Sequence, residues 1–254
     1  MGVLNRLPSA KSAIRGCMVL QVVVAALLFT DDIANVLIYG TDRQAPVTGP
    51  VSPGDQRRDY RPRYAPFDPD RRGPGNRTQT LPRRMEFSLA DEENPVIIAS
   101  GQIDDGAADR FVQFLADHPE APQLIALNSG GGEVRVALEL GRQIRDGGFA
   151  TTVKSQASCL SSCPYLLAGG TDRTVSREAW VGVHQHYFDE NAVMPLFIAV
   201  NGIQQGQADT LVYLDAMGVD PMLTAIAMRT PPEDIYILVE KELLDFALAT
   251  EVVD

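Results

Sequence analysis

From position 95 onward the apolar residues follow two alternating rhythms. A short β-branched run, PVIIASGQI (Pro95–Ile103), predicts a buried strand. In Ala107–His118 the side chains Phe111, Phe114 and Leu115 recur at helical intervals, and Pro119 lies just beyond the end. QLIAL (Gln123–Leu127) predicts a second buried strand, and Glu133–Arg145 carries Val136, Leu140 and Ile144 on one helical face. Phe149–Val153 reads as a strand, Ser161–Ala168 opens a buried helix, and Arg173–Val175 and Trp180–Val183 are strands again. Leu196–Leu214 and Met222–Met228 read as helices. Strands alternating with crossover helices predict an α/β domain over 85–254, and about 170 residues suffice to bury a real core.

Two appendages precede that domain. Residues 1–42 place Arg6, Lys11 and Arg15 before the apolar run Cys17–Phe29, and after Asp31 and Asp32 apolar character resumes. Cys17–Tyr39 has about the ~20 residues a spanning helix needs, and no small-x-small cleavage site follows Phe29. This predicts an uncleaved signal-anchor, with the two aspartates at the far interface. Basic residues flank both sides, so charge alone leaves its orientation a draw. Residues 43–84 hold eight prolines and few apolar side chains, which predicts a disordered, semi-rigid linker. Its arginines, interleaved with Tyr60, Tyr64 and Phe67, suit a soluble spacer or, less well, anionic headgroups.

Charge narrows the function classes. The chain carries −11 overall, yet 43–84 has ten arginines against four aspartates, and 85–254 has nine basic against 26 acidic side chains. A folded domain that acidic is not built for nucleic acid, whose phosphates call for clustered Lys and Arg. No nucleotide-binding Gly-x-x-x-x-Gly-Lys loop occurs. Three cysteines are too few for a disulfide framework, and Cys159 with Cys163 lacks the further donors a structural zinc wants. Neither metal nor cofactor is expected.

Three short stretches carry candidate chemistry. LNSGGGEV (Leu127–Val134) puts three glycines where a strand hands over to a helix, so backbone N–H groups can approach a substrate closely. ASCLSSCPYLLAGG (Ala157–Gly170) sets serines at the start of a helix, near its positive dipole end. WVGVHQHYF (Trp180–Phe188) offers a histidine at the end of a strand. A nucleophile, a base and an oxyanion cradle are the parts acyl transfer needs. His184 and His186 share one strand face, and Lys154, seven residues before Ser161, is a rival base.

In that order and spacing the three stretches resemble the Clp protease proteolytic subunit and the wider Clp/crotonase fold of repeated β-β-α units. The resemblance is greater still to predicted periplasmic Clp-like proteins with a C-x-S-x-C element, here Cys159 to Cys163. It spans roughly Pro95 to Val253 and implies Ser161 as nucleophile and His184 as base. Gly131 and Ser162 are then the oxyanion donors. The tail Thr230–Val253 resembles the family's acid-bearing segment, which implies an acid at Asp234, with Glu233 the alternative. It further implies a peptide or protein substrate, a homo-oligomer, and a domain facing the periplasm from the inner membrane. Cys163 and Pro164 depart from the protease pattern, as does Gly130 where the family has proline. A proline beside the nucleophile leaves room for a non-catalytic scaffold, and the shared fold leaves room for a crotonase-like acyl-CoA enzyme. Cys159 and Cys163, at i and i+4, are either bridged or two small buried thiols.

Overall fold

The computed structural model describes residues 11, 14–24, 51–62, 64–65, 81–90, 95–186 and 196–254. Residues 14–24 are helical (α1) and exposed, within a first unit ending at Thr48. The expected span Cys17–Tyr39 lies largely outside the described residues. Among those described, no helix is long and apolar enough to cross a membrane.

The second unit, Gly49–Asp254, is mixed α/β. Its larger sheet has the order β12(Glu251–Val253)-β9(Arg173–Ser176)-β7(Ala150–Val153)-β6(Leu124–Asn128)-β5(Val96–Ser100)-β4(Glu86–Ala90). Only the β4–β5 pair is antiparallel. The inner strands are short apolar runs because a parallel sheet buries both faces: Ile97, Ile125, Leu127, Val153 and Val175 are at most 1% exposed. The smaller sheet has the order β1(Arg57–Asp59)-β11(Asp234–Ile237)-β10(Trp180–Val183)-β8(Ser158–Leu160). A bridge from Ser129 to Cys159 joins the end of β6 to β8, so the two sheets meet where the candidate motifs lie.

Helices α2(Ala107–Asp117), α3(Val134–Asp146), α4(Cys163–Gly169), α5(Leu196–Ala216), α6(Leu223–Arg229) and α7(Glu240–Asp245) complete the unit. The backbones of α3 and α4 approach so closely that a Cβ on Gly169 would lie 2.4 Å from the Gly141 carbonyl oxygen. Arg145, in the last turn of α3, donates to the carbonyls of Ala168, Gly169 and Gly170, the orphan acceptors at the end of α4. That fixes the far end of the helix whose start carries the serines.

The expected disordered linker needs correction. Within 43–84, β1 pairs antiparallel with β11, and β2(Tyr64–Ala65) pairs with β3(Leu81–Pro82). β1 reads RRD, with nothing apolar to bury. It is recruited by the edge of β11, whose ladder groups need partners, and composition is blind to that.

Candidate active site

Ser161 stands between β8 and α4 with φ +61°, a left-handed conformation that costs a non-glycine residue about 1–2 kcal/mol. The turn is held on several sides. Ser161 N–H donates to the Gly182 carbonyl, and Leu160 N–H to the Ser129 carbonyl. A disulfide joins Cys159 and Cys163 across the serine, with Cα atoms 5.0 Å apart and neither cysteine exposed. Of the two sequence alternatives, bridged or free, the structure contains the bridge. Pro164 falls at the second residue of α4, where the missing N–H would have had no helical partner. It therefore costs the helix no hydrogen bond.

His184 lies just past β10, and its Nε2 is 2.7 Å from Ser161 Oγ. The ring is 4% exposed. Burial pulls its pKa down to about 4, with His186 pushing the same way and the Pro232 backbone opposing. The Pro232 backbone is thus the one neighbour that favours the protonated ring. In the neutral ring whose Nε2 carries no proton, that nitrogen accepts from the Ser161 hydroxyl. His186 serves differently: its Nε2 is 3.1 Å from Tyr165 Oη, and burial lowers its pKa as well. Lys154 follows β7, and its carbonyl accepts from Ala157 N–H. Of the three candidate bases, His184 is the one set on Ser161.

The expected acid, Asp234, opens β11. Asp234 lies opposite Asp59 in the β1–β11 ladder, with Oδ2 3.7 Å from Arg57 Nε. Burial raises its pKa, against the pull of Arg57. Glu233 is exposed and gives its carbonyl to Tyr60 N–H. After Val183 the chain leaves β11, and Gln185 N–H donates to the Thr230 carbonyl. That draws His184 toward the Thr230–Pro232 turn, upstream of both acids.

The glycine turn also departs from expectation. Gly131, with φ +100°, sits so near the nucleophile that a Cβ there would lie 2.5 Å from Ser161 Cβ. Its N–H, however, donates to Ser129 Oγ at 3.1 Å, and that hydroxyl donates to the Gly101 carbonyl. An oxyanion would have to share or take over the Gly131 N–H. Ser162 N–H heads α4 and meets no acceptor among the described residues. Its hydroxyl donates to the Gly132 carbonyl, tying the glycine turn to the helix start.

Beyond the base lies a cavity of about 10 Å³, lined in part by Tyr165, His184, His186, Thr210, Thr224 and Met228. That is room for roughly one water. The residue the motifs did not reveal is Tyr60: its ring lies 4.6 Å from the His184 ring, centroid to centroid, and its hydroxyl donates to the Gly130 carbonyl. Its only sequence signal was an aromatic residue in an otherwise arginine- and proline-rich stretch. No cluster of potential metal ligands occurs among the described residues.

No protein-family model matches the chain, and no curated protein matches it. Among solved structures, the chain is similar to a point mutant of ClpP1 from Listeria monocytogenes at 12% identity. That match covers 63% of this chain and 91% of that one, with a TM-score of 0.49. It is also similar to a mutant of the membrane-bound stomatin-specific protease 1510-N at 16% identity, over 62% of this chain and 77% of that one, with a TM-score of 0.45. The chemistry of the site rests on its own residues.

Proposed function

We propose that the chain is a serine hydrolase of the peptidase kind, on a Clp/crotonase-like fold, with Ser161 as nucleophile and His184 as base. The observation that carries this is the 2.7 Å approach of His184 Nε2 to a serine Oγ held at φ +61° before a helix. In the mechanism, neutral His184 takes the Ser161 proton as Oγ attacks a carbonyl carbon. The Pro232 backbone favours the positive charge that forms on the ring. Ser162 N–H, at the positive end of α4, stabilises the tetrahedral oxyanion, with Gly131 N–H as the second donor once it turns from Ser129. His184 then returns the proton to the leaving group, and water repeats the cycle on the acyl-enzyme.

The reading extends to place and partners: a homo-oligomer anchored through residues 1–42, facing the periplasm and cleaving peptides or proteins. The buried Cys159–Cys163 bridge supports an oxidising compartment. The exposed apolar side chains Met18, Val19, Leu20 and Val22 of α1 support an apolar neighbour for that helix. The test of the chemistry is hydrolysis of a small activated ester such as p-nitrophenyl acetate by the full chain. Turnover lost in both Ser161→Ala and His184→Gln supports the reading. Turnover retained in both, or absent both from the native chain and from its Tyr60→Ala/Tyr64→Ala variant, refutes it.

A further inference from the structure

Tyr60, Pro62 and Tyr64 lie against the base and the glycine turn. β1 adds to the edge of β11, Tyr60 N–H donates to the Glu233 carbonyl, and the Tyr60 ring then lies on the His184 ring. The next residues cross the glycine turn so tightly that a Cβ on Gly130 would lie 2.6 Å from Tyr64 Oη and 2.8 Å from Pro62 Cβ. An extended chain paired to a sheet edge, with alternate side chains in contact with the site, is how a peptide is held by strand addition. Charge agrees: RRDYRPRYA (residues 57–65) carries four arginines, and the domain beneath it holds 26 acidic against nine basic side chains.

We propose that this strap fills the peptide groove of the site, so that the substrate class is an extended, basic peptide of the form Tyr-x-Pro-x-Tyr, and the full chain is latent until the strap is displaced. The proposal rests on the hydrolase reading for its catalytic part and on the groove alone for its binding part. Substrate entry requires the Tyr60 ring to leave His184, and Pro62 and Tyr64 to leave Gly130. A groove occupied nine-tenths of the time or more then slows attack on any groove ligand by about tenfold or more.

Two readouts on the full chain separate the parts. The first is the rate at which Ser161 is modified by a fluorophosphonate bearing a peptide arm, in native protein and in the Tyr60→Ala/Tyr64→Ala variant. The expected result is a gain of about tenfold or more, reversed by adding the free peptide of residues 57–65. An unchanged rate in a folded variant overturns the proposal. The second readout is fluorescence anisotropy of that peptide with Ser161→Ala chains, which needs no chemistry. Binding to the chain that also lacks Tyr60 and Tyr64, at least tenfold tighter than to the chain that keeps them, is expected by the same occupancy argument. Equal or absent binding overturns the groove. If neither chain reacts yet the peptide binds the vacated groove, the hydrolase reading falls and the peptide site stands. Should the double variant fail to fold by circular dichroism, Tyr64→Ala, which leaves β1 and Tyr60 in place, carries both readouts with a gain of about threefold expected.

Discussion

Acid should act on this protein through His184. The folded ring, 4% exposed, has its pKa lowered from 6.5 to about 4, chiefly by burial. Above about pH 6.5 the ring is neutral in both folded and unfolded chains and exerts no pull on the equilibrium. As pH falls through the interval between the two pKa values, the unfolded chain binds a proton that the folded chain refuses, and stability drops. At about pH 4.5 the difference amounts to about 2.5 kcal/mol, approaching ~3 kcal/mol below the folded pKa. The perturbation is His184→Gln, which deletes the titration and keeps an amide at the site. Urea unfolding followed through Trp180, the single tryptophan of the chain, gives stability near neutrality and at about pH 4.5. The native chain should lose about 2.5 kcal/mol more than the variant between the two conditions. His186 is also shifted downward by burial, so His186→Gln is run in parallel to separate its share. Equal acid losses in native and His184→Gln chains would refute the desolvated imidazole, and with it a base that is neutral well below pH 6.5.

Asp234→Asn should change Ser161 acylation by less than about threefold, because Asp234 is paired with Arg57; a fall near 10⁴ would show that it orients the base. Gly131→Ala puts a Cβ 2.5 Å from Ser161 Cβ and a side chain at φ +100°, so acylation should fall by roughly 10²-fold or more with circular dichroism retained. Replacing both Cys159 and Cys163 by alanine opens a loop of sequence separation 4, at a cost of about 2 kcal/mol in urea unfolding. Freed of that clamp, Ser161 can relax from φ +61°, and its acylation should slow by about tenfold. Two free thiols in protein taken from its native compartment would remove both expectations.

Where periodicity is carried by packing, the chain could be read directly. Trp180–Val183 coincides with β10, and the Phe111/Phe114 spacing gives α2 to within a residue. The pairing of Ser161 with His184 was legible because both are particular residue types in recognisable surroundings. What escaped notice has no side-chain signature. The Pro232 backbone favours the charged imidazole, and any residue type can supply a backbone carbonyl. The Gly131 N–H is engaged by Ser129 Oγ, a turn-scale contact that the run of glycines conceals. β1 was hidden for a third reason: a strand recruited to an edge needs backbone groups and not an apolar pattern, so Tyr60 looked like part of a spacer. The β8 strand, SCL, is too short for alternation to register.

The central claim, that Ser161 and His184 form one nucleophilic unit, is tested most directly by mapping a simple fluorophosphonate adduct on the full chain by tandem mass spectrometry, in native protein and in His184→Gln. The expected result is an adduct on Ser161 of the native chain that fails to form at comparable rate in the variant. An adduct on Ser158 or Ser162, or equal modification of Ser161 with and without His184, would contradict the account.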